Sequence, residues 1–498
     1  AILPPMNNKL VFLIIFLPLL AYVTIRAALL GITYDEVWTL TTFVPLDIKD
    51  ILLYNPADAN NQILNTLLIK LFFVFGNHSL FIARLPNVLA FVVYGYFCFR
   101  ITEGSRNFMT GTFLLILLLY NPFVLDFFSL ARGYGLAMAF QMGCLYYVMI
   151  YFSSYDWKKL ALSFSLGILA VLSNFTFLYF FLSVVLISVS SSLFNFKKNR
   201  KIGGTIIIAV SASLLLSAMI AVPIIKLIMN GGFYYGGTSG FYNDTLVSLF
   251  AYILYHPYNT VLAKVVLNIF LFLAGSIIVY CFIRRQVEDE MFLGGKTVII
   301  SLLTGLVIII NLTNHIVTGT PYLIDRTALL YIPLFIMFLV YWIEELQVRQ
   351  VNWVSSLLFA ALCILTLVNF GINANFRKTI SWPFEAHSEQ ILDNINKEGT
   401  KTNKVMSVDF SWPFEKSFGY YVDKNKYSHL VLSKDADDRE KLNPQADYYI
   451  YYGRSMEKVG YLAQQQLILN LKKDTAWLYD KEDVVVFSHL DTLTGGSQ

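Results

Sequence analysis

Apolar runs of about 20 residues recur along this chain from residue 9 to residue 372, and no other feature limits its fold so severely. A run of that length can satisfy its backbone hydrogen bonds within one helix and cross a hydrocarbon core of roughly 30 Å. Eleven spans are predicted, near 9–29, 82–99, 108–125, 133–153, 159–174, 176–194, 203–228, 262–283, 296–314, 328–344 and 353–372. Composition agrees. Hydrophobic residues make up 56% of the 498 and charged residues only 14%, with a mean hydropathy of +0.59. Soluble domains carry about 25% charged residues, so a large soluble core is excluded. Aromatics at 16% fit rings placed at headgroup depth. Cys98, Cys144, Cys281 and Cys363 all fall in apolar stretches and read as buried thiols without a disulfide or metal role. The first run lacks a small-residue cleavage site and is long enough to remain a span, so no cleavable signal peptide is expected. Residues 1–5 (AILPP) and the closing GGSQ read as added sequence.

Orientation follows from the Lys and Arg content of the short loops. KKNRK at 197–201 is the strongest basic cluster, and Arg100, Arg106, Lys158, Lys159, Arg284, Arg285, Lys296 and Arg349 fall on its side. That side is predicted to be cytoplasmic. Residues 30–81, 126–132, 229–261, 315–327 and everything after about 373 are then expected outside the cytoplasm.

From about residue 376 charged residues return. Short apolar runs (VMSVDF, YYIYYG, VVVFSHL) alternate with helical patterns (HSEQILDNINKE, EKVGYLAQQQLILNLKK), which predicts a small α/β domain. The expected division is a membrane domain over 6–375 and an extracytoplasmic domain over 376–494. SWPFE occurs at 381–385 and again at 411–415. Without further similarity it reads as coincidence or a shared strand-leading turn, not as a repeat architecture.

Four polar features collect on the predicted outer side. GITYDEVWTL places Asp35 and Glu36 just past the first span. NPADANNQILNTLLIKLF carries Asn60, Asn61 and Gln62 before a short amphipathic helix with Lys70, which is expected to lie along the interface. LYNPFVLDFFSLARGYGL carries Asp126, Arg132 and Tyr134, and NHIVTGTPYLIDRTALLYIPLF carries His315, Tyr322, Asp325 and Arg326. Each has a bland alternative. Arg132 could snorkel to headgroups, His315 could be a packed ring, Asp325–Arg326 a loop ion pair, and Asp35–Glu36 helix-capping acids. No HExxH, CxxC, GxxxxGK or GxSxG is present, which argues against zincin, P-loop and serine-hydrolase chemistry. Carboxylates and cations gathered on one leaflet suit a substrate with a phosphate head and an acyl tail.

The ordered motifs resemble the GT-C glycosyltransferases, which include polyprenyl-phosphate-mannose protein mannosyltransferases and lipid A aminoarabinose transferases. The Asp-Glu pair follows the first span. NNQILNTLLIKLFFVFGNHSLFIARLPNVLAF is similar to that family's polar group, helix and Arg-Leu-Pro, and LYNPFVLDFFSLARGYGLAMAF to its Asn-Pro followed by Arg-x-Tyr. The likeness covers about 9–150 and returns at 314–335. It implies a GT-C membrane domain with interfacial helices in the first outer loop. It further implies Asp35 as general base with Glu36 beside it, and Arg132, Lys70 and Arg326 as ligands of the donor phosphate. Tyr34, Asn61, Gln62, Tyr134, Tyr322 and His315 are then expected to meet sugar or acceptor. Many relatives have His where this chain has Gln62, and Gln cannot titrate near neutral pH.

Two functions are weighed. One is an inverting transfer of a sugar from a polyprenyl-phosphate donor to an envelope glycan, lipid or protein acceptor at the cytoplasmic membrane. The donor is a substrate and no cofactor is expected, metal use being left open; membrane lipids are expected partners and nucleic acid is not. The other is a transporter or flippase for lipid-linked glycans. Transporters favour internal repeats and midplane ionisable groups, whereas the predicted spans here are nearly uncharged at their centres.

Overall fold

The computed structural model describes residues 8–76, 78–194, 202–288, 295–348, 352–432, 446–452, 475–479 and 484–488. Among these, eight helices are long and apolar enough to cross a membrane. They are Asn8–Leu29, Leu80–Thr102, Tyr134–Ser154, Phe175–Leu193, Gly203–Met229, Thr260–Ile283, Gly295–Thr318 and Asn352–Asn373. The other three expected spans take different forms. The 108–125 run is a pair, Phe108–Leu119 and Pro122–Phe128, bent by 63°. Asn121 causes the break: its Oδ1 accepts from the N–H groups of Phe123 (3.0 Å) and Val124 (3.3 Å), and Pro122 follows at the first helical position. The 159–174 run is Trp157–Ser173, of 17 residues, and the 328–344 run becomes Tyr331–Val348, which carries Glu344 and Glu345 near its end. The structure therefore gives eight spans, or nine with the bent pair, where eleven were expected. The basic cluster 197–201 lies outside the described residues.

The chain packs as two compact units, 1–28 with 43–374, and 29–42 with 375–498. In the first, Tyr134–Ser154 is the most enclosed span, 72% buried, and packs on Leu80–Thr102 and Trp157–Ser173. Gly143 permits this approach, since a Cβ there would lie 2.7 Å from the Phe97 ring. Gly203–Met229 and Thr260–Ile283 are only 22% buried, and their outer faces expose Ile207, Leu214, Ile225, Val265 and Phe272. Such apolar faces belong in lipid. All four cysteines are buried and free.

The second unit holds a five-stranded sheet: β1 (Met406–Phe410), β2 (Leu430–Leu432), β3 (Tyr448–Tyr452), β4 (Thr475–Tyr479) and β5 (Val484–Ser488), in the order β2-β1-β3-β5-β4. Strands β2, β1 and β3 run parallel, while β5 is antiparallel to both β3 and β4. VMSVDF, YYIYYG and VVVFSHL thus supply β1, β3 and β5, and HSEQILDNINKE forms the helix Ser388–Thr402. The helical pattern expected over 457–473 lies outside the described residues. The SWPFE pair does not lead into strands. Each copy forms a 3₁₀ turn, Pro383–His387 and Trp412–Phe414, ahead of the helices Ser388–Thr402 and Glu415–Asn425. Proline fixes φ at the first turn of a helix, so W-P-F favours a helical continuation. The two copies meet, Phe384 and Phe414 packing edge to face at 5.5 Å.

Candidate active site

The acid pair sits on a one-turn helix, Tyr34–Trp38, opened by a capping box. Thr33 Oγ1 accepts from Glu36 N–H at 3.4 Å, and Glu36 Oε2 accepts from Thr33 N–H at 3.0 Å. The sequence signature is Thr-x-x-Glu. Glu36 is 0% exposed and its carboxylate is committed to this cap. Asp35, one residue earlier, is half-buried and points elsewhere around the turn. Residues 29–42 pack on the C-terminal segment. Tyr421 Oη accepts from Ile32 N–H at 3.0 Å, Lys416 Nζ lies 4.5 Å from the Trp38 ring centre, and Tyr34 meets Trp412 edge on at 6.0 Å.

In the membrane unit, the 54–66 and 129–136 segments are tied together by buried amides. Asn65 Nδ2 donates to Ala131 O (3.0 Å), Asn87 Nδ2 to Asn65 Oδ1 (2.9 Å), and Asn87 Oδ1 accepts from Leu136 N–H (3.2 Å). Gln62 Oε1 accepts from Gly133 N–H at 2.5 Å. Gly133 has to be glycine, because a Cβ would lie 2.1 Å from Ser173 O. Arg132 is 2% exposed and donates to Asn60 O at 3.4 Å. Tyr54 hydrogen-bonds Asn61 O; burial pushes its phenol up, with Asp58 adding to the shift and Arg132 opposing it. Tyr134, 5% exposed, packs its ring on Phe127 at 4.9 Å.

Two expected ligands serve as scaffold instead. Asn61 is 0% exposed, with Nδ2 on Ile51 O (3.0 Å) and Oδ1 on Thr66 Oγ1 (3.2 Å). Lys70 donates to Val44 O (3.0 Å) and Leu46 O (2.9 Å). Both side chains answer loop carbonyls that a turn leaves without ladder partners.

A second polar group joins 235–248 to 315–328. Gly237 and Tyr322 exchange backbone hydrogen bonds at 3.0 and 2.9 Å. Arg326 stacks over the Tyr235 ring at 4.4 Å and donates to its hydroxyl at 3.0 Å, while Tyr235 donates to Asp325 Oδ2 at 2.5 Å. Asp325 takes φ = +38°, a strained backbone held by Ser248 Oγ on its N–H at 2.9 Å. His315 stacks on Tyr322 at 3.8 Å and turns Nδ1 to Thr320 O at 2.8 Å. The packed-ring alternative describes this histidine.

Sequence reasoning missed one buried pairing. Arg26 and Asp126 form an ion pair at 2.6 Å, 0% and 2% exposed, with Tyr255 Oη donating to Asp126 at 3.0 Å and Arg26 donating to Tyr22 Oη at 2.9 Å. A cation in the last turn of the first span and an acid after Asn-Pro are its only sequence signals.

The fold these helices, the capped first-loop turn and the C-terminal sheet define is of the GT-C membrane type. The likeness is to ArnT from Cupriavidus metallidurans bound to undecaprenyl phosphate: TM-score 0.50, 10% identity, covering 98% of this chain and 99% of that one. ArnT from the same organism in the apo state gives a TM-score of 0.47 at 11% identity, covering 99% and 100%. No protein-family model matches the chain, and no curated protein does.

Proposed function

We propose that this protein is an integral-membrane glycosyltransferase that takes a sugar from a polyprenyl-phosphate donor and passes it to an acceptor hydroxyl outside the cytoplasm. The observation that carries the reading is the division within the acid pair. Glu36 is buried in a capping box, while Asp35 is held on the same rigid turn with its side chain half-buried. A fixed, reachable carboxylate is what a general base requires. The GT-C type of fold and the undecaprenyl phosphate bound by ArnT support a lipid-phosphate donor.

In the proposed step an acceptor hydroxyl attacks the anomeric carbon and its proton passes to the Asp35 carboxylate. The bond from that carbon to the phosphate oxygen breaks, and polyprenyl phosphate leaves with the electron pair. A single displacement inverts the anomeric centre, as it does in inverting glycosidases. Arg326, half-buried and braced by Tyr235, is the cation best able to meet the phosphate as it stands. Arg132 reaches it only if the 54–62 loop gives way. Its planar fork would then bind phosphate oxygens in pairs. Tyr34, Gln62, Tyr134, Tyr322 and His315 remain candidates for sugar or acceptor contacts, and Asn61 and Lys70 act through the scaffold.

The test is turnover of radiolabelled undecaprenyl-phosphate hexoses and pentoses by purified protein in detergent. Release of undecaprenyl phosphate with any of them supports the transferase. Donor movement across proteoliposome bilayers without release would support the flippase instead.

A further inference from the structure

The first copy of SWPFE ends on Glu385, a carboxyl that the proposed chemistry does not use. It is 2% exposed and lies beneath the turn that carries the acid pair. Its backbone carbonyl would be 2.9 Å from a Cβ on Gly31, so only glycine lets the first loop settle so closely. Its side chain accepts from Ser388 Oγ at 2.9 Å and meets Ser417 and the Tyr34 N–H. Tyr34 is the first residue of the acid-bearing helix. We propose that Glu385 is a positioning residue for Asp35, its buried carboxyl fixing the backbone of the turn over residues 31–36. The proposal rests on Asp35 being the base.

Two buried carboxyls here belong to one site. Burial pushes the Glu385 carboxyl up to about 8; the charge on Glu36 adds to this, while Ser417, Ser388 and the Tyr34 N–H oppose it. The titratable groups facing it are Glu36 from the turn and Tyr421 from Glu415–Asn425. Below pH 8 Glu385 is uncharged and can share hydrogen bonds with the turn. Above it, a second buried anion stands against Glu36, whose position is set by the Thr33 cap. The turn then loses its fixed geometry, and Asp35 with it.

Donor turnover is measured from pH 6 to 9.5 with radiolabelled undecaprenyl-phosphate hexoses and pentoses, water serving as acceptor. Wild type, Glu385→Gln, Glu385→Ala and Asp35→Asn are compared, alongside deuterium uptake by peptides covering 29–42. Wild-type kcat should fall above pH 8 as uptake in 29–42 rises beyond the intrinsic pH effect. Glu385→Gln, which mimics the neutral form, should keep kcat within about threefold at pH 7 and lose both alkaline changes. Glu385→Ala should lower kcat by roughly tenfold with donor KM little altered. If Asp35→Asn is inactive but Glu385→Gln keeps the wild-type alkaline fall and uptake, the proposal is wrong and the base assignment stands. If Asp35→Asn is fully active, both fail together. Glu385→Gln keeps the test open should the alanine variant misfold.

Discussion

Asp35 and Glu36 are adjacent acids with opposite fates, and hydrogen bonding decides which is which. Glu36 Oε2 takes Thr33 N–H at 3.0 Å and Thr33 Oγ1 at 3.2 Å, a cap readable in the sequence as Thr-Tyr-Asp-Glu. The arginines divide similarly by burial. Arg326→Ala should raise donor KM about tenfold or more, since a charge-assisted phosphate contact is worth roughly 1.5–3 kcal/mol, with Arg326→Lys recovering only part. Arg132→Ala should cost stability as well, because its guanidinium is 2% exposed. Donor-binding isotherms and thermal unfolding of both variants separate the two effects, and an unchanged KM in Arg326→Ala would remove it from the phosphate. Other residues were legible only in part. Asn61 and Gln62 announce a polar cluster, but a sequence does not show that their amides face a neighbouring loop inside the fold.

At the scale of elements, the polar segments were placed correctly in the chain while their partners were not. Long-range pairs such as Asn65 with Ala131, or Arg84 Nη1 with Ala27 O at 3.1 Å, leave no local signature. Arg84, from the Arg-Leu-Pro motif, answers a carbonyl at the end of the first span, where helices leave acceptors unsatisfied. Gly133→Ala should break the 129–136 loop, because overpacking costs about 1–3 kcal/mol. The expected signs are a lower unfolding midpoint and lost turnover; a fully active, equally stable alanine variant would show that the Ser173 contact relaxes. The helix Ser388–Thr402 should respond to pH. Glu385 rises from 4.5 to about 8 on folding, so the unfolded state releases its proton first. Stability from this group is full below pH 4.5 and declines toward pH 8, above which it no longer changes. Amide protection in Ser388–Thr402 should follow that slope in wild type, and the slope should be missing in Glu385→Gln.

Across the whole molecule, hydropathy announced the class of fold because a bilayer tolerates few alternatives. It was weaker on number: eight helices meet the length and apolarity of a span, and the bent pair at Asn121–Pro122 shows how one apolar run becomes two elements. It also did not show that 29–42 clusters with 375–498, since the first loop carries no apolar pattern matching the tail. Sidedness is still a proposal drawn from basic residues. Reporters fused after Lys201 and after Asp480 should read opposite sides of the membrane. Matching signals would overturn the orientation and the outer location of the chemistry.

The proposed transfer depends most on Asp35 acting as the base, and one comparison tests this directly. Asp35→Asn and Glu36→Gln are assayed side by side at saturating undecaprenyl-phosphate sugar. Asp35→Asn keeps the shape but cannot take the proton, so kcat should drop by about 10²–10⁴-fold with donor binding nearly intact. Glu36→Gln keeps an oxygen for Thr33 and should be milder. The contradicting result is turnover in Asp35→Asn close to wild type, which would leave the acid pair a helix cap and the transferase without its base.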